Sequence, residues 1–552
     1  MLTGRDVLRH AIGGHKGRIT AASVLAAAHQ GCEALVPVLI GVVVDRAIGP
    51  GSTGELVTWL IVLLVLFAAL SNTYRHALRL AEHAAEYSAH RIRLDLSERI
   101  LHPRGGAETG HLPGALVNIA TEDARRVGSV YGILPFGIAA ATGIVVSAVF
   151  LLVVSVPLGL LVLLGIPPLL WLGHLIGKPL ERRSGVEQER AAHASGIAAD
   201  LVAGLRVLKG IGAEPAAIDR YRRTSQDSLG ATLRAARAQA WHSGAVLTLT
   251  GIFIAVVALV GGNLAISGTI SVGDLVAAVG LAQYLLGPLS VLGWANAELA
   301  QGRASAARVA EVLAAPQAVA GGTGQAPAEV AGEVRLAGVR HGALRGVDLE
   351  IAPGELVGVV TGDLAAATSL LDCLGRDADP AEGTVFLDGV PLSSMDPYEV
   401  RAAILVAAHD ADLFEGSLLD NVGSEEVLAA AAADEVASAL PDGVHTAITE
   451  RGHSLSGGQR QRVALARALA AEAPVLVVHD PTTAVDTVTE ARIAAGLAQV
   501  RRQRTTVLVT TSPALLAETD RVALLEDGAV SAVGRHADLV RDLSAYRAAV
   551  LS

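Results

Sequence analysis

The sequence of 552 residues is poor in lysine, cysteine and aromatic side chains, and each shortage excludes a class of protein. Its two cysteines, Cys32 and Cys373, lie far apart, so no disulfide framework is implied. Aromatic residues make up 3% of the chain, and a formal net charge of -11 leaves no basic footprint for a nucleic-acid partner. Lys16, Lys178 and Lys209 are its three lysines. Any chemistry that needs a lysine is therefore excluded from the second half.

Apolar residues, by contrast, make up 51% of the chain. Such a composition over this length predicts at least two domains, one of them in a membrane. A bilayer-spanning helix needs roughly 20 mostly apolar residues. The first half has five such runs: 19–44, 56–74, 127–177, 238–273 and 275–297. The third run is long enough for two spans that fold back at Ser155 to Pro157, so the sequence predicts six spans.

The positive charges between these runs predict the orientation, because Lys and Arg are retained on the cytoplasmic side. The N-terminal segment and the connections 75–126 and 178–237 are rich in arginine, whereas the remaining connections, 49–55, around Val156 and 267–274, contain neither Lys nor Arg. We therefore expect both termini inside. Spans two to five should continue as helices well beyond the bilayer. The N-terminus has no short apolar core with a small-residue cleavage site, so no removable signal peptide is expected.

A Pro-, Gly- and Ala-rich stretch, residues 315–332, reads as a linker between residues 1–314 and 333–552. After it, short apolar runs such as 356–360, 475–478 and 506–509 alternate with helical patterns such as 459–471. The sequence therefore predicts an α-helical six-span transmembrane domain followed by a cytosolic α/β domain.

The string Leu455-Ser456-Gly457-Gly458-Gln459 places a hydroxyl and bare backbone N–H groups at the start of a helix, where the dipole favours an anion such as phosphate. With the Arg460–Ala468 stretch that follows, it resembles the signature motif of ATP-binding-cassette (ABC) transporters of the exporter fold. The resemblance extends over the whole chain, from spans and inner loops to linker and cassette. It implies that Ser456 to Gln459 contact ATP held by a second cassette.

The same resemblance assigns other positions. Asp486 matches the loop that crosses the cassette dimer, and Glu450 the loop that faces the coupling helices of the membrane domain. Two inner loops, from Gly114 to Asp123 and from Gly204 to Glu214, resemble the coupling-helix regions. His341 falls where an aromatic ring stacks on adenine, and an ordinary loop histidine remains the alternative.

The phosphate loop departs from the family pattern. Where members of the family read Gly-x-x-Gly-x-Gly-Lys-Ser-Thr, this chain reads residues 361–369, TGDLAAATS, with Ala367 at the lysine position. Gly362, Thr368 and Ser369 remain as candidate nucleotide contacts, and the Thr368 hydroxyl as a candidate metal ligand. Asp363 adds negative charge where phosphate would bind, and the lysine that neutralises the terminal phosphates is missing.

Four further catalytic positions differ. His479 stands at the aspartate that supports Mg²⁺, and a neutral imidazole lacks the anionic oxygen that a hard cation prefers. Asp480 stands at the general-base glutamate, with a side chain one methylene shorter. His409 replaces the glutamine that senses metal and water, and Thr511 the histidine that contacts the terminal phosphate. No catalytic residue is therefore expected in this chain's own site, and ATPase activity is expected only as part of a pair.

An intact signature beside an altered phosphate loop predicts one half of a heterodimeric transporter. The partner would be a second half-transporter with an intact phosphate loop and catalytic glutamate, and ATP and Mg²⁺ would be held mainly at its site. Membrane lipid and an amphiphilic or apolar substrate, such as a small molecule, lipid or peptide, would be the other partners. Glu33, inside the first span, is either a substrate contact or simply hydrated from the inner cavity.

Three other interpretations remain open. In the first, the chain would be a non-catalytic membrane regulator that uses its cassette as an interaction platform. In the second, it would be a homodimeric ATPase with unusual chemistry, and in the third an importer built on the exporter fold. The arginine-rich, lysine-poor composition suggests a high-GC bacterial genome and therefore a multi-pass protein of the plasma (inner) membrane.

Overall fold

A computed structural model describes residues 2–13, 16–322, 324–325, 327, 329–409 and 412–551. These residues form two compact units. One comprises Met1–Asp95 and Val117–Glu311, and the other Leu96–Leu116 and Val312–Ser552.

The helices of the first half are long and follow the apolar runs of the sequence. They are α1 (Gly4–Gly13), α2 (Lys16–Val43), α3 (Thr53–Ile100), α4 (Pro113–Asn118), α5 (Ala124–Val154), α6 (Val156–Ala203), α7 (Leu205–Gly210), α8 (Glu214–Ile266), α9 (Val272–Tyr284) and α10 (Leu286–Ala314). Short π-helical segments, Val44–Ile48 and Ile119–Asp123, follow α2 and precede α5. The helices continue well past the predicted spans because their outer portions keep a helical alternation of apolar and charged residues.

The turn between α5 and α6 lies where the sequence predicts it. Ser155 is extended (φ −163°, ψ 120°), and its hydroxyl accepts a hydrogen bond from Leu158 N as the N-cap of α6. A serine followed by proline in the first turn is a strong helix-start signal. The serine hydroxyl caps a free backbone N–H, and proline lacks an N–H that would have no partner in the first turn.

Five helical stretches in the described part of the chain are long and apolar enough to cross a membrane: Thr53–Ile100, Pro113–Val154, Val156–Ala203, Glu214–Ile266 and Val272–Ala314. The first predicted span lies on α2, which is not among them. This helix carries Glu33, His29 and Gln30, together with Pro37, and these residues lower its apolar content. Six spans therefore remain a prediction.

Small residues allow the membrane helices to pack closely. A Cβ on Gly41 of α2 would lie 2.3 Å from the carbonyl oxygen of Gly273, at the start of α9, and a Cβ on Gly128 of α5 would lie 2.5 Å from the carbonyl oxygen of Ala85. Neither contact tolerates a side chain, so backbone meets backbone at both crossings, as is typical of helices that pack in lipid.

The second unit is built on a six-stranded sheet, a four-stranded antiparallel sheet and a two-stranded ribbon. Its strands are β1 (Val334–His341), β2 (Leu344–Ile351), β3 (Leu356–Val360), β4 (Glu382–Leu387), β5 (Val390–Pro391), β6 (Ile404–Ala407), β7 (Gly416–Ser417), β8 (Ala447–Ile448), β9 (Val475–His479), β10 (Thr506–Val509), β11 (Arg521–Glu526) and β12 (Ala529–Gly534). The orders are β12-β11-β3-β10-β9-β6, β2-β1-β4-β5 and β7-β8.

Nine helices, most of them short, accompany these strands in the described part of the unit: α11 (Leu364–Leu374), α12 (Pro397–Ala403), α13 (Leu418–Val422), α14 (Ala433–Ser438), α15 (Gly457–Ala470), α16 (Thr487–Val500), α17 (Pro513–Ala517), α18 (His536–Asp542) and α19 (Ser544–Leu551). The sheet strands β3, β9 and β10 are buried almost throughout, because helices cover a parallel sheet on both faces.

Residues 315–322, which we call the strap, are hydrogen-bonded to two other segments of the second unit. Ala318 N and Val319 N donate to the carbonyl oxygen of Arg104. Ala320 N donates to Asp379 Oδ2 at 2.6 Å, and the guanidinium of Arg376, 1% exposed, donates to the carbonyl oxygen of Ala320 at 2.9 Å. This part of the predicted linker is therefore held in place on both sides.

Candidate functional site

Three parallel strands bring most of the predicted own-site residues to one edge of the large sheet. Val509 of β10 pairs with Val359 of β3 on one side and with His479 of β9 on the other. The segments that follow these strands, 361–363, 480–482 and 510–512, therefore leave the sheet at the same edge. The carboxyl edge of a parallel sheet is where ligands bind in folds of this class.

The start of α11, at the predicted phosphate loop, already carries an anion of the chain itself. Asp363 is the N-cap of α11, and its Oδ1 accepts a hydrogen bond from Ala365 N at 2.9 Å. Its carbonyl oxygen accepts from Ala367 N at 3.1 Å. A helix N-terminus attracts phosphate through such N–H groups. Here the carboxylate of Asp363 itself accepts one of these N–H groups.

The hydroxyl groups of α11 are turned toward its own backbone. Thr368 Oγ1 donates to the carbonyl oxygen of Leu364 at 2.9 Å, and Ser369 Oγ donates to that of Ala365 at 2.7 Å. Ser369 Oγ also accepts from Ala343 N at 3.2 Å, which brings the turn after β1, and hence the region of His341, against α11. Ala367 is buried, with 3% of its surface exposed. Gly362 has open space around it.

Two histidines and Asp480 lie together at the predicted metal-supporting position. The rings of His409 and His479 have centroids 5.9 Å apart, and His479 Nε2 lies 3.7 Å from Asp480 Oδ2. His409 Nδ1 lies 3.2 Å from the carbonyl oxygen of Asp480, whose φ of +42° is left-handed. His479 is 8% exposed, whereas Thr511, after β10, is exposed.

These residues do not fit a magnesium nucleotide. In the described part of the site, the imidazole of His479 stands where the family pattern has the Mg²⁺-supporting aspartate, and the nearest carboxylate at that position is that of Asp480, 3.7 Å from His479 Nε2. The carboxylate at the start of α11 repels phosphate, and the buried methyl group of Ala367 supplies no positive charge. Charge at the start of α11 therefore opposes the binding of this ligand.

The predicted signature has a different arrangement. Ser456 is the N-cap of α15, and it forms a reciprocal capping box with Gln459: Gln459 N donates to Ser456 Oγ at 3.3 Å, and Ser456 N to Gln459 Oε1 at 2.8 Å. Ser456 and Gly457 are both exposed. The box fixes the start of the helix and leaves its outer face open to solvent.

The predicted crossing loop is bonded directly to α15. Gln461 Nε2 donates to Thr483 Oγ1 at 2.7 Å, and Ala484 N donates to Gln461 Oε1 at 2.9 Å. Asp486 then caps α16 through Val488 N and Thr489 N, and its hydrogen bonds with the backbone and side chain of Thr489 lower the pKa of its carboxyl group. Sequence reasoning missed Gln461, although it stands within the quoted motif.

The predicted coupling residues fall into two groups. Gly114, in α4, and Gly204, between α6 and α7, lie at helix junctions, and Glu214 begins α8. Asp123 is instead buried, at 1% exposure, and its carboxylate accepts from Arg308 Nε at 2.8 Å and from Ser305 Oγ at 2.8 Å. It stabilises the packing of helices. Glu450 opens a short 3₁₀ turn, and its side chain lies outside the described part of the structure.

Glu33 lies on α2 beside His29. Its Oε2 is 3.8 Å from His29 Nε2, and its side chain is 44% exposed. His29 Nδ1 is 3.0 Å from the carbonyl oxygen of Leu70, and Tyr284 donates to that of Gln30 at 3.0 Å. Polar residues around Glu33 therefore join neighbouring helices, while Glu33 keeps its carboxylate partly open.

The fold and the site together describe a membrane protein with a cassette of nucleotide-binding type. Comparison with family models supports this description. Residues 19–289 match the ABC transporter transmembrane region, and residues 344–483 match the ABC transporter cassette. An ATP-dependent lipid A-core flippase of Thiobacillus denitrificans is 30% identical over 70% of this chain and 70% of its own length. The chain belongs to the ABC transporter family, in the exporter-type arrangement that fuses a transmembrane region to a cassette.

Other relatives are more distant but extend over more of the chain. An ATP-dependent lipid A-core flippase of Burkholderia thailandensis is 28% identical over 96% of this chain and 92% of its own length. A multidrug efflux ATP-binding/permease protein of Mycobacterium tuberculosis is 29% identical over 93% of this chain. This chain spans 44% of the length of that mycobacterial relative. ATP and Mg²⁺ are, in general, the ligands of cassettes in this family.

Proposed function

We propose that this chain is one subunit of a heterodimeric ABC exporter in which ATP is hydrolysed at the site of the partner. The partner would supply the phosphate-loop lysine, the Mg²⁺-supporting aspartate and the general base. This chain would supply the start of α15, with Ser456, Gly457 and Gly458. The boundaries 1–314, 315–332 and 333–552 are part of the proposal, as is a plasma-membrane location with the cassette and both termini inside.

One contrast between two helix starts carries the proposal. At α15, the cap is an uncharged hydroxyl on an exposed turn, which leaves room for an anion from another molecule. At α11, the cap is the carboxylate of Asp363, which repels an anion. The first helix suits a phosphate and the second opposes one, so the two cassette faces are suited to unequal roles in a head-to-tail pair.

The contribution of this chain to turnover would be electrostatic and positional. The N-terminus of α15 would stabilise the charge of the terminal phosphate held by the partner. The hydrogen bonds from Gln461 to Thr483 and Ala484 fix the crossing loop to the same helix, so that Ser456 and Asp486 would be presented as one unit.

The cargo is proposed to be amphiphilic. The relatives include both a lipid flippase and a multidrug efflux protein, and the predicted membrane spans carry few charges. Glu33 beside His29 would be the one acidic group on α2 available to a bound substrate.

Purification of the full chain with and without a co-expressed half-transporter that carries Gly-Lys-Ser/Thr and Asp-Glu motifs tests the proposal. The chain alone should have no ATPase activity above that of a mock preparation, and the pair should be active. In the pair, Ser456→Ala should lower the turnover on the order of 10²-fold, because it removes a stabilising group of the transition state.

The matched variant is Ala367→Lys, which restores a phosphate-loop cation only in this chain's own site. It should leave the turnover of the pair nearly unchanged, since Asp363 and His479 remain. A chain that hydrolyses ATP as a homodimer, or a pair that loses activity with Ala367→Lys but keeps it with Ser456→Ala, would contradict the proposal.

A further inference from the structure

A basic cavity lies in the membrane unit, far along the sequence from the cassette motifs. A cavity of about 920 Å³ opens between α1, α5 and α10. Three arginines line it: Arg5 and Arg9 on α1, and Arg303 on α10. Leu8, Val130, Leu134 and Leu299 form its apolar wall. This volume is at the upper end of the range of binding sites for small molecules.

The three guanidinium groups make no hydrogen bond or ion pair with any residue that the structure describes. Other arginines of the same helices are paired with carboxylates: Arg125 and Arg126 share Glu122, and Arg308 binds Asp123. Asp6 on α1 accepts hydrogen bonds from Thr3 N and Thr3 Oγ1 and is attracted to Arg9, but it does not line the cavity, so one nearby carboxylate faces three guanidinium groups. The cavity therefore keeps an excess of positive charge.

The cavity lies at the predicted inner boundary of the membrane. Val130 and Leu134 belong to the cytoplasmic end of the third predicted span, and Leu299 and Arg303 follow the inner end of the sixth. The part of its wall formed by Val130 and Leu134 is therefore at the depth of acyl chains, Arg303 is at the depth of headgroups, and Leu299 lies between them.

The wall formed by α1 is fixed to the membrane helices. The hydroxyl of Tyr131 donates to the carbonyl oxygen of Leu8, and a Cβ on Gly4 would lie 2.9 Å from Ala307 N. Because α1 is already in close contact with α10 at Gly4, a closer approach would produce a clash, and the arginines remain separated around an open space.

We propose that this cavity binds an anionic phospholipid of the inner leaflet, with its phosphate between Arg5, Arg9 and Arg303 and an acyl chain along Val130, Leu134 and Leu299. Guanidinium groups form paired hydrogen bonds with phosphate oxygens, and basic pockets between membrane helices on the cytoplasmic side suit such headgroups. The proposal is independent of how ATP is hydrolysed.

The test measures lipid binding to the full chain, purified in a neutral detergent, by native mass spectrometry with added phosphatidylglycerol or phosphatidylcholine. We expect phosphatidylglycerol to be retained on the order of a hundredfold better. The triple variant Arg5→Gln, Arg9→Gln, Arg303→Gln should reduce its retention to that of phosphatidylcholine. Equal retention of both lipids by the unmodified chain would overturn the proposal.

A matched triple variant on α6, Arg182→Gln, Arg183→Gln, Arg190→Gln, removes the same charge from exposed positions outside the cavity. It should retain phosphatidylglycerol as the unmodified chain does, and an equal loss in both triple variants would reject a specific site. The single variant Arg303→Gln, which keeps α1 unchanged, should show a partial loss. A full retention by this variant would also count against the site.

Two further arms separate a lipid from a free anion. Inorganic phosphate at millimolar concentration should not displace phosphatidylglycerol, and displacement would indicate a site for the free anion. Leu134→Trp fills part of the apolar wall with the arginines in place, so it should weaken retention of the lipid. Unchanged retention in this variant would refute the placement of the acyl chain.

Discussion

At the scale of single residues, the two glycines at the start of α15 differ in what surrounds them. A Cβ on Gly458 would lie 2.4 Å from the carbonyl oxygen of Ala484, whereas a Cβ on Gly457 would meet only the Ala484 Cβ at 3.5 Å. We expect Gly458→Ala to displace the crossing loop and break the hydrogen bond from Ala484 N to Gln461. Amide exchange of residues 482–486, measured by mass spectrometry on the full chain, should accelerate at least tenfold.

Gly457→Ala is the matched control for this variant. It adds the same methyl group one position earlier, in ordinary van der Waals contact, and should leave amide exchange in the loop unchanged. If both variants accelerate exchange equally, helix propensity at the start of α15 would be the cause, and the close approach of Gly458 to Ala484 would not matter.

The chemistry of the site could be predicted from the sequence where a residue type decides it. The missing lysine at Ala367 and the imidazoles at His409 and His479 are evident from the residue identities in the sequence. The capping role of Asp363 had a signal too, because an aspartate directly before a helix is a preferred N-cap. The bridge from Gln461 to Thr483 and Ala484 had none, since it joins segments whose proximity only the fold determines.

At the scale of elements, the strap depends on one buried cation. Arg376 donates to the carbonyl oxygens of Met395, Ser393 and Ala320 and lies 3.2 Å from Asp379 Oδ1. Asp379 in turn accepts from the backbone of the strap at Ala320 N. Removal of such a group leaves several buried acceptors unpaired, which typically lowers the free energy of unfolding by about 3 kcal/mol.

We therefore expect Arg376→Ala to release the strap from the cassette. Amides of Ala318, Val319 and Ala320 should exchange faster, and the thermal unfolding temperature of the full chain should fall. Arg340→Ala provides the control, because Arg340 pairs with Glu382 on the exposed face of β1 and such pairs contribute at most about 1 kcal/mol. Rapid exchange of the strap in the unmodified chain would show that these bonds do not hold it.

Elements were predicted most accurately where a strong local signal begins or ends them. The capping serines at Ser155 and Ser456 and the buried runs of β3, β9 and β10 gave their positions nearly to the residue. The strap was predicted as a linker because its Pro, Gly and Ala composition is typical of one. Its bonds depend on Arg104 and Arg376, which are distant in sequence, and composition carries no information about them.

At the scale of the whole molecule, the number of membrane spans is the main open prediction. Among the described helices, five stretches are apolar enough to cross, and α2 is not one of them. If α2 does not cross, the N-terminus and the cassette lie on opposite sides. If it crosses, they lie on the same side. The basic residues before it, Arg5, Arg9, Lys16 and Arg18, favour the cytoplasmic side for the N-terminus.

Reporter fusions to the full chain decide between these arrangements. Green fluorescent protein is bright in bacterial cells only on the cytoplasmic side, and we expect a fusion at the N-terminus to be bright. A periplasmic phosphatase is active only outside, and we expect one inserted at Gly51 to be active. Five spans would instead give a dark N-terminal fusion with the same active insertion, because Gly51 precedes α3 in both arrangements. A phosphatase inserted at Gly110, between α3 and α4, is the inactive control in either case, so activity there would refute both.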